Sequence, residues 1–314
     1  MARWGIVSKI GLPAIVALCV AVVSVSSSAP LIAYAVAPGL AIAFWRNALA
    51  VGVLGPAAAV TGRTQFATVL RTDRRTLLVC VLAGLALAVH FGAWVPSAKL
   101  TSVATATALV NTTPIWSAII VTFQGTRLPK VIWAGIGVAV TGAVLATGSD
   151  FTVSGDAVLG DALALLGGVA AAVYTALGAH ARAVVSTTVY TTICYSVCAL
   201  ALLVTCLASG TPLAGYPAGA WLAIAAITVF PQLLGHNMIN YALQRVPATT
   251  VNVVLLLEVP GATLLGWLLI GQLPSVASVP GLVILTAGVL VVLVGAARTA
   301  RAKAIADTAQ QAPR

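Results

Sequence analysis

Ten membrane-spanning helices in two inverted sets of five, an all-α integral membrane protein, are what this sequence predicts. Three observations carry the prediction: a composition unfit for water, basic residues sorted to one side of a bilayer, and a repeat of one half in the other. Of 314 residues only 7% are charged and 61% are hydrophobic, with a mean hydropathy of +1.08. A soluble domain carries about 25% Asp, Glu, Lys and Arg, so a water-soluble fold is excluded, and the apolar excess excludes disorder and collagen-like structure as well. With aromatics at 6%, the apolar mass is Ala, Val and Leu, a mixture suited to helices packed against helices in lipid.

A helix needs roughly 20 apolar residues to cross about 30 Å of hydrocarbon. Such runs occupy 10–29, 39–60, 76–97, 102–123 and 130–148, then 159–180, 187–208, 218–242, 249–270 and 276–297. The first follows Arg3 and Lys9 and precedes Ala33-Tyr34-Ala35, features shared with cleaved signal peptides. It is read as a span because its removal would leave the halves unpaired. The second contains Arg46, the third follows Arg71, Arg74 and Arg75, the fourth contains Pro114 and the fifth follows Arg127 and Lys130. Asp150 and Asp156 mark the loop before the sixth, Arg182 separates the sixth from the seventh, and Arg245 separates the eighth from the ninth. Arg298, Arg301, Lys303 and Arg314 follow the tenth.

With the N-terminus in the cytoplasm, fourteen of the sixteen Lys and Arg fall on the cytoplasmic side. Lys99 alone falls outside, and Arg46 lies within a span. The positive-inside rule then puts both termini in the cytoplasm of a multi-pass protein of the cell (inner) membrane. The net charge of +10 is a record of orientation, and no nucleic-acid partner is inferred from it.

Sliding the chain on itself pairs His90 with His236, Lys99 with Arg245, Pro114 with Pro260, Gly125 with Gly271, Gly135 with Gly281 and Gly142 with Gly288, each at an offset of 146. This divides the chain into a first repeat at 1–150, a second at 151–297 and a basic cytoplasmic tail at 298–314, read as disordered near anionic lipid. Five is odd, so the second repeat starts on the opposite side and is inverted. Inverted repeats place a substrate site at their interface and expose it alternately to either side. A transporter follows from this, while a stable bundle serving another purpose is the plainer alternative.

On the ten-span plan, Arg46 in span two, Pro114 in span four, Leu257-Glu258-Val259-Pro260 in span nine and the glycines at 271, 281 and 288, the chain resembles the EamA-like permeases of the drug/metabolite transporter superfamily. The resemblance implies secondary transport, export of amino acids, other small metabolites or toxic compounds, and no nucleotide hydrolysis. Where that family commonly carries Gly-Glu after spans four and nine, this chain has Gly125-Thr126 and Gly271-Gln272, which puts any role of those acids in doubt here.

An ionisable side chain at membrane depth costs roughly 2.5 to 3.5 kcal/mol even on the lenient scale, so each calls for a reason. Glu258 is the deepest carboxylate, and its repeat counterpart is Thr112. Buried, it is suited to exchange a proton or to contact substrate; a permanent salt bridge is the alternative. Arg46 lies at about 12 Å depth and Glu258 at about 16 Å by helical rise. Arg46 either neutralises Glu258, clamps a substrate carboxylate, or snorkels to the outer interface. Gln232, His236, Asn240 and Gln244 recur every fourth residue on span eight, and His90 and Trp94 do so on span three. Such polar stripes face a cavity rather than lipid. Asn111 and Thr112 precede Pro114, as Glu258 precedes Pro260; each proline frees a carbonyl, giving a hinge or a fixed kink.

Tyr174 and Tyr195 are secondary candidates for ligand contact. Trp4, Trp94, Trp133, Trp221 and Trp267 lie near span ends, as an interfacial belt would. The five cysteines all lie within spans and lack metal-ligand spacing, so they read as small apolar residues with no metal. Gly135, Ala139 and Ala143 form a small-residue stripe that seals either the bundle or a homodimer. No Walker, His-Glu-x-x-His or Gly-x-Ser-x-Gly motif is present, so the expectation is not an enzyme, with no cofactor. The expected protein is a small-molecule exporter, with protons as candidate coupling ions; multidrug efflux or a passive channel is the alternative.

Overall fold

The computed structural model describes residues 11–101, 103–147, 155–270 and 276–311. Arg3, Trp4, Lys9, Asp150, Gly271, Gln272 and Arg314 lie outside the described residues. Helices follow one another as α1 (Leu12–Ser26), α2 (Ser28–Tyr34), α3 (Gly39–Thr61), α4 (Arg63–Arg71), α5 (Arg74–Leu100), α6 (Val103–Val110), α7 (Thr113–Phe123) and α8 (Lys130–Thr147). The second half has α9 (Gly155–Ala181), α10 (Thr187–Ala208), α11 (Ala218–Ile227), a π-helical segment (Thr228–His236), α12 (Asn237–Ala242), α13 (Ala248–Leu255), α14 (Glu258–Ile270) and α15 (Val279–Gln311). Nine helical runs among the described residues are long and apolar enough to cross a membrane, and each falls on a predicted span. The predicted fifth span falls on a shorter apolar helix, Lys130–Ala146.

Three departures from the sequence reading matter. Spans one, four and nine are interrupted rather than continuous, at Ser27, at Asn111–Thr112 and at Leu256–Leu257. At the first break serine hydroxyls back-bond to the helix, Ser26 Oγ to the Val22 carbonyl and Ser27 Oγ to that of Ser24, both at 2.7 Å, offering the backbone an alternative to the ladder. At the other two a proline follows. Second, α4 is an unforeseen helix between spans two and three. Third, the tail from Arg298 does not start as a disordered end: α15 continues through it to Gln311.

Helix starts follow local rules. Asp73 caps α5 by accepting the Thr76 N–H at 3.0 Å, and these bonds from Thr76 hold its carboxyl below the usual range. The Ser186 hydroxyl accepts from Val189 N–H to start α10. Gly125, at φ 86°, ends the α7 turn in the left-handed region.

The interior is filled by Ala above all, with Val, Ile and Leu and a few Cys and aromatics, while Val60, Val204, Leu207 and Leu222 stand exposed on the outside, as lipid-facing residues do. The repeat is visible in the packing. Along α8, Gly135, Ala139, Gly142 and Ala146 meet Val292, Gly288, Leu285 and Gly281 of α15 in falling order, so the two helices run antiparallel. Replacing each partner by its counterpart 146 residues away turns the Gly142–Leu285 contact into Gly288–Ala139, and Gly135–Val292 into Gly281–Ala146, contacts that are also present. Ala139 and Ala143 are fully buried, so this small-residue stripe seals the bundle within one chain.

Candidate functional site

Two adjacent glycines in the middle of α9 bring the site together. A Cβ on Gly167 would stand 3.0 Å from Trp94 Cβ of α5, and one on Gly168 would stand 3.0 Å from the Val110 carbonyl oxygen at the α6–α7 break. Only residues without a side chain admit both neighbours so closely. Their carbonyls are used as well: His90 Nδ1 lies 2.9 Å from Gly167 O, and the Thr113 hydroxyl donates to Gly168 O at 3.2 Å. The same hydroxyl donates to Val110 O at 2.6 Å, the carbonyl that Pro114 deprives of its helical donor. In the second repeat Leu256 O, four residues before Pro260, accepts from Val259 N at 3.1 Å.

Beside this junction is a cavity of about 90 Å³ lined by residues from both repeats. Predicted site residues Glu258, His90, Trp94, Asn111 and His236 all line it, joined by Ser28, Phe91, Thr113, Tyr174, Thr175 and Asn252. Glu258 is the first residue of α14, so its carboxylate sits at a half-helix N-terminus, the positive end of the dipole. His90 stacks on Trp94, with ring centroids 6.0 Å apart and planes at 4°, and His236 meets the Phe91 edge at 5.2 Å. Trp94 is buried in the cavity wall, so it is not part of an interfacial belt. Trp133 and Trp267 are exposed on the lipid-facing exterior.

The other predicted residues lie behind the cavity walls. Thr112 donates to Leu109 O and accepts from Trp116 Nε1. The span-eight stripe divides, because the π-helical register carries its members in different directions. His236 faces the cavity; the amide of Asn240 donates to the Tyr174 hydroxyl at 2.6 Å; and Gln232 Oε1 accepts from Arg46 Nε at 2.8 Å. Gln232 is held in turn by donating to Asn47 Oδ1 at 3.1 Å. Arg46 is fully buried, which rules out snorkelling, and its guanidinium lies 4.1 Å over the Phe91 ring. Neither terminal nitrogen of Arg46 has a hydrogen-bond partner, so no salt bridge to Glu258 is formed. Pro114 and Pro260 occupy the first turns of α7 and α14, outside the lining.

Sequence reasoning missed Phe91, Ser28, Thr175 and Asn252, whose residue types are unremarkable in a membrane helix. A signal did exist for the junction, the Gly167-Gly168 pair in mid-span. Beyond the cavity, Arg182 donates to Asn240 O at 2.9 Å, to Val185 O and to Gln244 Oε1 at 3.2 Å, tying the α9–α10 turn to the end of α12. Burial holds its guanidinium pKa below the usual value. Tyr195 donates to Asn237 away from the cavity. No cluster of metal-ligating residues occurs among the described residues.

Paired sets of membrane helices around an interior cavity that both sets line, apolar walls carrying a few polar groups, are the architecture of a multi-pass membrane transport protein. The chain belongs to the EamA-like transporter family, whose model matches it twice, over residues 12–148 and 158–294. That family is a domain of the drug/metabolite transporter superfamily. A crystal structure with 23% sequence identity superposes on 92% of this chain and 97% of its own at a TM-score of 0.71, a likeness of fold. No curated protein matches the sequence.

Proposed function

We propose that this protein is a secondary exporter of a small polar metabolite, such as an amino acid, working by alternating access about the cavity that holds Glu258. One observation carries the reading: Ser28 Oγ, Trp94 Nε1, Asn111 Nδ2 and His236 Nδ1 are buried without hydrogen-bond partners, and all four residues line this one cavity. Each unsatisfied buried polar atom costs about 1 to 3 kcal/mol. Half of the eight such atoms among the described residues fall at this one place, where a polar ligand and its water repay the cost.

In this reading the chain has ten spans in two inverted halves, residues 1–150 and 151–297, with both termini cytoplasmic. The antiparallel packing of α8 on α15 supports the inversion, and the excess of Lys and Arg in alternate loops supports the orientation. Breaks in spans four and nine, within one residue of counterpart positions and beside the cavity, are where the halves bend. Glu258 takes up a proton from one side and releases it to the other, coupling substrate movement to the proton gradient. The small cavity favours a metabolite over a bulky lipophilic drug, and no catalytic step is assigned to it.

The test is flux in proteoliposomes loaded with labelled amino acids, with and without an imposed pH gradient. Wild-type protein is expected to drive uphill movement, and Glu258→Gln to lose it while retaining helix content and insertion. Uphill transport by Glu258→Gln at the wild-type rate would remove the coupling role. Flux that only runs downhill would favour a channel.

A further inference from the structure

The two repeats are not equivalent at their broken helices. In the second, the N-terminus of α14 is furnished with the protein's own carboxyl group, that of Glu258. In the first, the counterpart position is Thr112, and among the described residues no carboxylate lines the cavity at the start of α7. Two unpartnered donors stand there instead. Trp94 is 5% exposed and Asn111 7%, yet Trp94 Nε1 and Asn111 Nδ2 bond to nothing. They belong to the two segments that Gly167 and Gly168 seat side by side on α9. Ser28, 3% exposed with its hydroxyl unpaired, lines the same cavity.

The geometry points to a carboxylate seat on the first-repeat side of the cavity, formed by Trp94 Nε1, Asn111 Nδ2 and the start of α7, with the substrate's amine directed to Glu258. A carboxylate accepts from both donors and is favoured by the positive end of the eleven-residue α7 helix dipole. The ammonium group then faces the one acid of the cavity. The class of ligand is therefore a compact zwitterion carrying amine and carboxylate together, an α-amino acid in the simplest case. Arg46, the cation that sequence reasoning offered as carboxylate clamp, is turned away from this role, because Gln232 and Phe91 hold it outside the lining. This assignment rests on the transporter reading and adds to it which end of the substrate lies where.

The experiment compares binding and flux for each amino acid, its amide and its deaminated acid, in wild type, Trp94→Phe and Asn111→Leu. Trp94→Phe keeps a ring and removes only the donor, so it tests the seat with least damage to packing; its apo melting temperature checks the fold. Wild type is expected to prefer the amino acid over its amide by roughly ten-fold or more, the scale of a hydrogen bond to a charged group. Trp94→Phe and Asn111→Leu are each expected to shrink that ratio, because a charged carboxylate loses more than the neutral amide when a donor is removed. If amino acids are transported but the ratio is near one, or survives both substitutions, the carboxylate seat is wrong and the transporter reading stands. If wild type neither binds nor moves any amino acid, the seat falls together with the substrate class.

Discussion

A methyl group added where α8 crosses α15 is expected to be among the costliest small changes in this protein. In Gly142→Ala the new Cβ would stand 2.6 Å from Leu285 Cα and 2.8 Å from Gly281 O, with Leu285 N closer still. Every one of these atoms is backbone, so no rotamer change relieves the overlap. Ordinary contact begins near 3.4 Å, and Leu285 N, the nearest atom, sets the separation, so the helices must part by more than about 0.8 Å, enough to forfeit roughly half of each dispersion contact along the seam. With Ile136, Val140, Leu285, Val289 and Val292 all buried there, the expected loss is about 2 to 3 kcal/mol. Gly281→Ala makes the same demand, its Cβ meeting Ala146 backbone and Gly142 O. One separation accommodates both methyls, so the double variant should lose about 3 kcal/mol rather than the sum of about 5, a coupling of about 2 kcal/mol. Equilibrium unfolding in mixed micelles, followed by helix content, measures all three. Gly137→Ala, which meets nothing within 4 Å, is the control and should be neutral or stabilising by up to about 1 kcal/mol. Additive losses, or a Gly142→Ala variant as stable as the control, would refute the close-packed seam.

Arg46→Lys should destabilise by about 1 to 3 kcal/mol, since it strands the buried Gln232 acceptor and removes the planar contact with Phe91. Arg46→Met strands the same Gln232 acceptor but removes a buried charge whose two terminal nitrogens have no hydrogen-bond partner, so in the same melts it should cost no more than Arg46→Lys; a larger loss would mean that the charge is paired. Arg182→Lys cannot reproduce three bonds spread over Asn240, Val185 and Gln244. Its effect should appear as exchange of the α9–α10 turn amides accelerated ten-fold or more, on the scale of about 1.4 kcal/mol per decade, and unchanged protection would show that the clip does not hold the turn.

How much of this was legible in the sequence depended on whether the signal was local. The helical runs were, because an apolar stretch of about 20 residues has few other uses. The small-residue stripe of Gly135, Ala139 and Ala143 was legible too, but the sequence left open whether it sealed the bundle or a dimer, and the packing of α15 against it decides for the bundle. Glu258, His90, Asn111 and His236 stood out as polar groups in apolar runs, and the fold collects all four at one cavity. What the sequence hid were the pairings across the bundle. Arg46 was set beside Glu258 by depth alone, but depth says nothing of azimuth, and the π-helical turn swings Gln232 onto it instead. The same turn breaks the four-residue stripe, for 3.6 residues per turn no longer applies where the ladder widens. Trp94 was read both ways, as a cavity residue by its spacing from His90 and as an interfacial anchor by its position, and the Gly167-Gly168 notch draws it inward.

The contacts between α8 and α15 map onto themselves when the two repeats are exchanged. If the halves trade conformations, this seam has the same energy in both and favours neither, serving as an unbiased axle. Any difference in population between the inward and outward forms must then originate in residues present in one half only. Glu258 against Thr112 and Arg46 against Thr192 are such places, as is the π-helical turn of span eight against the regular helix of span three. The resting state of the molecule is thereby set by a handful of unmatched positions, and substitutions there can tilt the balance without touching the axle.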